Sequence, residues 1–155
     1  MTRATSARSR LERTPLHLRA DAEVSLNFIP VDSVARQAVG VALADSAGGV
    51  FHLTHPSPTS VGLVLTTMFR SVGLRDPLFV TSKEQFSWLD QRFDQRLDFY
   101  CSYFIGEKRF DRRRTDAVLG RPVAELPMDV PQIEAYSRWY LERLARERTQ
   151  LPVSR

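Results

Sequence analysis

Residues 26–43, LNFIPVDSVARQAVGVAL, pass from a strand pattern to a helix pattern within one short stretch. β-branched and aromatic residues over 24–31 predict a strand, and Pro30 predicts that it ends there or lies at a sheet edge. Asp32 follows at the position of a helix N-cap. Apolar residues then recur every three or four positions and predict a helix with one apolar face, made of Val34, Ala35, Ala38, Val39, Ala42 and Leu43.

Strand and helix patterns continue to alternate, which predicts an α/β (α+β-like) chain with a few short strands and about four or five helices. Further strands are predicted at 50–55 and 78–81, and helices over 61–72, 111–119 and 132–148. The predicted helix end signals are Thr59 or Ser60 with Gly73, and Asp111 with Gly120. The last helix is predicted to bury Ile133, Tyr136, Tyr140, Leu141 and Leu144.

The most regular pattern is an aromatic and aliphatic stripe that runs from Phe86 to Phe104. Its spacing of three and four residues predicts one continuous helix of about five turns. A capping box just before it is predicted at Thr81 with Glu84, or at Ser82 with Gln85. The stripe is interpreted as core, part of which is left as exposed surface if a neighbouring domain is missing.

The chain has 155 residues, which suits one domain, and a net charge of +4. The excess charge lies in residues 1–19, which hold five arginines and one acidic residue, while the rest of the chain is balanced. This predicts a flexible basic tail over 1–20, which a targeting segment would also resemble. The rest of the chain is predicted to be a single domain over 21–148, followed by a frayed tail over 149–155. A neutral body argues against a nucleic-acid partner.

The single cysteine, Cys101, excludes an internal disulfide and favours a reducing, cytoplasmic location. Since no apolar run is long enough to cross a bilayer, no membrane association is expected.

Three motifs in this order resemble the C-terminal, substrate-side part of extended short-chain dehydrogenase/reductases. They are Pro30-Val31-Asp32, the segment from Phe51 to Pro58, and Phe110-Asp111 followed by Leu119-Gly120. Over about residues 20–145, the chain most resembles the NAD-dependent epimerase/dehydratase and thioester-reductase or male-sterility-like branch of that family. The resemblance implies part of an NAD(P)-binding Rossmann-type reductase, NAD or NADP as cofactor, and a small-molecule or acyl substrate.

Two motifs of that family are missing from the sequence. Its seven glycines form no G-x-G-x-x-G loop, and no tyrosine is followed four residues later by lysine. We therefore expect no catalytic and no cofactor-binding residue, and no cofactor in this chain alone. Expected partners are the missing N-terminal Rossmann half or a second copy of the chain, because apolar residues suited to a buried sheet remain at Val31, Val50, Leu53, Phe86, Phe93 and Phe104.

The best candidate for ligand contact is the turn between the second predicted strand and its helix, because ligands of α/β sheets gather at that edge. It supplies the predicted substrate-binding residues His55, Ser57, Thr59 and Ser60. Other candidates are interpreted structurally. Asp32 is read as an N-cap rather than a catalytic carboxylate. His52 and His55, with His17, make no metal site, since residues three apart on a strand face opposite ways.

The basic run 107–114, EKRFDRRR, either contacts phosphates or is a solvated helix start, and the second interpretation is favoured because acidic residues dilute it. Two functions remain open. The chain is a catalytically incomplete, substrate-side portion of an NAD(P)-dependent oxidoreductase, or it is a non-enzymatic protein–protein interaction module.

Overall fold

A computed structural model describes residues 14–44, 48–120 and 128–150. These residues form an α+β arrangement of short strands and helices. A 3₁₀ turn at Asp98–Tyr100 lies between the helices at 88–97 and 101–105. The strands are β1 His17–Arg19, β2 Ser25–Leu26, β3 Thr59–Ser60 and β4 Leu78–Val80. The helices are α1 Val31–Leu43, α2 Val61–Ser71, α3 Trp88–Leu97, α4 Cys101–Ile105, α5 Arg113–Leu119 and α6 Val130–Gln150. None of these helices is both long enough and apolar enough to cross a membrane.

The strands pair two by two. β1 and β4 are parallel, with Leu18 opposite Phe79, and β2 and β3 are antiparallel, with Ser25 opposite Ser60. The predicted strand at 78–81 is thus confirmed, while the strand expected over 24–31 shortens to β2.

The strand predicted at 50–55 is wrong, because side chains rather than a neighbouring strand satisfy its backbone. The Thr115 hydroxyl donates to the His52 carbonyl oxygen at 3.1 Å, and the Arg112 guanidinium donates to the Thr54 carbonyl oxygen. The segment stays extended without forming a ladder.

The core begins earlier in the chain than expected. Leu16, Leu18 and Ala20 are buried, and they pack with residues of α2 and α4, namely Val61, Leu65, Phe69 and Phe104. The flexible tail expected over 1–20 is therefore incorrect for 16–20, where β1 supplies part of the core. Residues 1–13 lie outside the described residues.

A buried carboxylate fastens β1 to α3. The backbone N–H and the ring Nδ1 of His17 donate to Asp90 at 2.9 and 3.2 Å. The Ser87 N–H also donates to Asp90 at 2.7 Å, and the Asp90 N–H donates to the Ser87 hydroxyl. Burial alone would raise the pKa of Asp90, but the hydrogen bonds from Ser87 and His17 outweigh it and lower that pKa. The capping box therefore lies at Ser87 and Asp90, and both predicted alternatives were wrong.

The long helix predicted from Phe86 to Phe104 is divided into α3, the 3₁₀ turn and α4. The tighter turn interrupts the regular stripe, so that Phe104 is buried while Tyr100 is exposed. The Phe104 carbonyl oxygen accepts a hydrogen bond from the Asp21 N–H at 2.9 Å, which ties α4 to the loop after β1.

Helix α1 is oriented opposite to the prediction. Its buried side chains are Ser33 and Gln37, because this face packs on α5. A Cβ atom at Gly40 would lie 2.6 Å from Leu119 Cδ2, so a larger residue there would require the Leu119 side chain to move. The predicted apolar face is mostly exposed, at Ala35, Ala38, Val39, Ala42 and Leu43. Asp32 is not the N-cap: Pro30 is, and Asp32 lies exposed in the first turn.

Helix α2 follows the prediction at both ends. The Ser60 hydroxyl accepts from the Leu63 N–H at 3.1 Å, and Gly73 follows with φ of 76°. Gly120 likewise closes α5 with φ of 75°, but Arg112 rather than Asp111 is the N-cap of α5.

Helix α6 packs against α2 and runs to Gln150, beyond the predicted start of the frayed tail at 149. Residues 151–155 lie outside the described residues. Only Ile133 of the predicted buried side is buried, Leu144 is half-buried, and Tyr136, Tyr140 and Leu141 are exposed.

Leu18→Ala tests whether β1 is core. We expect the free energy of unfolding to fall by about 3 kcal/mol, because Leu18 is 2% exposed and a cavity would remain. Leu43→Ala is the matched control, since Leu43 is 81% exposed, and we expect a change within about 0.5 kcal/mol. Urea denaturation followed by circular dichroism measures both, and equal losses would contradict the assignment of β1 to the core.

Candidate functional site

Two segments that the sequence treated separately meet around a polar cleft of about 300 Å³. This polar cleft is lined by Ser25 and Asn27, by His55, Pro56 and Pro58, and by residues 107–110 with Arg112. The structure therefore brings His55, a predicted substrate contact, next to the basic run 107–114.

His55 is buried and held in place by its neighbours. Its N–H donates to Asn27 Oδ1 at 2.8 Å, and its carbonyl oxygen accepts from Asn27 Nδ2 at 2.9 Å. The Asn27 side chain thus pairs with this backbone as a neighbouring strand would. The Ser57 N–H donates to His55 Nδ1 at 3.0 Å, so the proton of the neutral ring is on Nε2. The ring orientation is fixed by these contacts.

Arg112 is buried, although the run that contains it was interpreted as a solvated helix start. It is 9% exposed, and it donates to Gln37 Oε1 at 3.1 Å, to Asp116 Oδ1 at 2.9 Å and to the Thr54 carbonyl oxygen. It therefore joins α1, the extended segment before His55, and α5. The favoured interpretation is wrong for Arg112, while its neighbours Arg113 and Arg114 are exposed.

The sequence offered one weak signal for this distinction, an acidic residue four positions after Arg112 at Asp116. Nothing else in the run of three arginines separates the buried residue from the exposed ones.

The other three predicted substrate contacts lie outside the polar cleft lining. Ser57 is exposed, and Thr59 and Ser60 form β3, where Ser60 also caps α2. Whether these three residues bind a substrate stays a prediction.

The three histidines contact different parts of the chain, His17 through Asp90 and His55 through Asn27. His52 is exposed, and its Nδ1–H donates to the Asp111 carbonyl oxygen at 2.9 Å. The part of the chain that the structure describes contains no cluster of His, Cys, Asp and Glu side chains able to hold a metal ion. Asp111 itself is paired with Arg113, which lowers its pKa to about 2.

A second concavity, the apolar cavity, has a volume of about 320 Å³ and lies between residues 28–30, α2 and the first half of α6. Val64 and Met68 of α2 face Ile133, Tyr136, Ser137 and Tyr140 of α6, and Met128 also lines it. Sequence reasoning missed this cavity because it assigned the same α6 residues to a filled core. The spacing of these residues gave the correct face of α6, but not the space left between the helices.

One extended segment borders both concavities. Ser25 and Asn27 line the polar cleft, while residues 28–30 line the apolar cavity. A ligand with a polar and an apolar part would therefore meet complementary surfaces on either side of this segment.

The loops after the described parallel strands lack the glycines that are typical of a dinucleotide-binding loop. A dinucleotide needs a glycine-rich loop after a parallel strand, so that backbone amides can approach the pyrophosphate. The loops that follow the parallel strands β1 and β4, at 20–24 and 81–87, contain no glycine. Gly40 and Gly62 instead serve close packing, against Leu119 and Ala22.

Comparisons with known proteins add no relative: no protein-family model, no curated protein and no solved structure matches this chain.

Arg112→Ala and Arg113→Ala form a matched pair of variants. Arg112→Ala should lower the free energy of unfolding by about 3 kcal/mol, because Gln37 and the Thr54 carbonyl lose their buried partner. Arg113→Ala should change it by less than about 0.5 kcal/mol, since that side chain is 91% exposed. Chemical denaturation at pH 7 measures both, and a loss below about 1 kcal/mol for Arg112→Ala would show that this contact does not hold the fold.

Proposed function

We propose that this chain is a substrate-binding module of the extended short-chain reductase type, which binds the acyl part of a substrate in the apolar cavity. The observation that carries the proposal is the cavity itself, whose walls are almost entirely apolar. Its volume of about 320 Å³ lies at the small end of ligand pockets, which favours a short chain or a single ring.

The walls suit such a ligand chemically. The flexible thioethers of Met68 and Met128 adapt to an acyl chain, and each methylene removed from water contributes about 0.8 kcal/mol. The Ser137 hydroxyl and the phenol groups of Tyr136 and Tyr140 are the polar groups available to orient the carbonyl end.

In this proposal the chain binds and orients a substrate but does not transfer a hydride by itself. The sequence has neither the glycine-rich loop nor Tyr-x-x-x-Lys, and the described loops after β1 and β4 contain no glycine. NAD or NADP, the cofactor that the resemblance implies, would be held by a Rossmann half outside these residues.

A second candidate is a non-enzymatic interaction module, which the exposed apolar face of α1 favours. Val31 at the start of α1 and Val50 after it are each 77% exposed, and both had been identified from the sequence as apolar residues suited to a buried sheet. Val31, Ala35, Val39 and Leu43 follow one another at four-residue spacing, so α1 carries an exposed apolar row of a kind typical of protein contacts. The same surface would face the partner chain in the first proposal, so the two functions differ in whether the apolar cavity binds a ligand.

Calorimetric titration with the uncharged thioester S-octanoyl-N-acetylcysteamine tests the first proposal. We expect a dissociation constant on the order of 100 μM, from the area that the acyl chain removes from water. Met68→Glu should weaken binding at least tenfold by placing a charge against the apolar wall. Leu63→Glu is the matched control, on the same helix and outside the cavity lining, and should leave affinity within about twofold.

Equal weakening by both variants would place the thioester elsewhere on the surface and contradict the proposal. Absence of saturable binding, combined with a mass by light scattering well above 17.7 kDa, would favour the interaction module instead.

A further inference from the structure

We propose that the polar cleft binds the phosphate group of a small organic molecule, with Lys108 and Arg112 as its cationic partners. This inference goes beyond the proposed function and does not depend on it, because it uses neither the apolar cavity nor a second chain.

The lining of the polar cleft carries an excess of positive charge. Lys108, Arg109 and Arg112 line it with one acidic residue, Glu107. Glu107 is paired with Arg109, at 2.8 Å between Oε1 and Nε, and Arg112 is paired with Asp116 outside the lining. Lys108 therefore remains as a lining cation without an acidic partner in the described ranges, which favours an anionic ligand such as a phosphate group.

Lys108, which also lines the cleft, has only neutral partners in the contacts that the structure shows. Its ammonium group donates to the Ser102 carbonyl oxygen and lies 4.4 Å from the centre of the Tyr103 ring. An ammonium group has three N–H donors, so these contacts leave donors for an anion.

Arg112, which lines the cleft, has a buried donor without a partner. Its Nη atoms bind Gln37, Asp116 and the Thr54 carbonyl oxygen, whereas its buried Nε has no hydrogen-bond partner among the described residues. Buried donors are normally paired, and a phosphate oxygen accepts from a guanidinium N–H. Asp116 offsets part of the charge of Arg112. This arginine therefore contributes an N–H donor in a fixed orientation more than a net positive charge.

The size and walls of the cleft define the rest of the ligand. At about 300 Å³ the cleft has room for more than a phosphate group. Phe110, Pro56 and Pro58 add apolar surface to the lining, while Asn27 supplies a polar side chain. A phosphate ester of a ring-sized organic group suits this combination better than inorganic phosphate does.

Nuclear magnetic resonance titration of the ¹⁵N-labelled full chain tests the proposal, with phenyl phosphate at pH 8 as the probe. At this pH the phosphate is a dianion. Saturable shifts are expected at the amides of His55 and of residues 108–112, and they should weaken as sodium chloride is raised. Benzoate, a monoanion with the same ring, should bind at least fivefold more weakly, and phenol should produce no saturable shifts at these amides.

Lys108→Gln should weaken phenyl phosphate binding about tenfold, because one charge-assisted contact is lost. Arg113→Gln is the control, since Arg113 lies in the same basic run but points its charge at Asp111 outside the lining, and affinity should stay within twofold. Both changes are at exposed residues, so the test does not require a variant of the buried Arg112.

The proposal is overturned by any of three results. Shifts that map away from the cleft would place the anion elsewhere. Benzoate that binds as tightly as phenyl phosphate would show no selection for phosphate. Equal weakening by Lys108→Gln and Arg113→Gln would indicate a general response to surface charge.

Discussion

The buried guanidinium of Arg112 joins the three parts of the chain on which the candidate site is built. It reaches α1 through Gln37, the extended segment before His55 through the Thr54 carbonyl, and α5 through Asp116. Because that extended segment pairs with no strand among the described residues, side chains satisfy its backbone, and Arg112 at the N-cap of α5 and Thr115 in its first turn do so. The position of His55 and the shape of the polar cleft follow from this arrangement.

The same interaction accounts for the inverted orientation of α1. A helix that buries Gln37 against a guanidinium turns that face inward, and Ala35, Ala38, Val39 and Ala42 then face outward. Burying a glutamine is favourable only when its amide is hydrogen-bonded, which Arg112 provides. The exposed apolar face of α1 is thus a consequence of the polar contact beneath it. It leaves a surface that another chain could cover without changing the described core.

Local signals in the sequence predicted several elements correctly. The Ser60 cap, the glycine ends at Gly73 and Gly120, and strand β4 depend on residues close in sequence, and the structure confirms them. Strand β1 was missed because its alternating Leu16, Leu18 and Ala20 follow an arginine-rich stretch whose composition indicated a tail. The overall composition of residues 1–20 indicated a tail, but it does not show that every second side chain at 16–20 faces the core.

The candidate site depended on tertiary contacts that no local pattern contains. The sequence could identify His55 as a candidate ligand contact, because it follows an extended segment. Its position beside the basic run depends on the buried contact between Arg112 and the Thr54 carbonyl, which no local pattern predicts. The apolar cavity required the packing of α6 on α2, since the same aromatic residues would fill a core if the helices met differently. The resemblance to extended short-chain reductases stays a hypothesis.

The central claim is that the apolar cavity between α2 and α6 holds an acyl chain. Isotope-filtered nuclear Overhauser spectra of the ¹³C-labelled chain with unlabelled S-octanoyl-N-acetylcysteamine test it most directly, because they identify the protein methyl groups that contact the ligand. The account predicts contacts from the acyl methylenes to the methyl groups of Val64, Met68 and Ile133. Contacts confined to Val39 and Leu43 would place the ligand on the exposed apolar surface and would contradict the account.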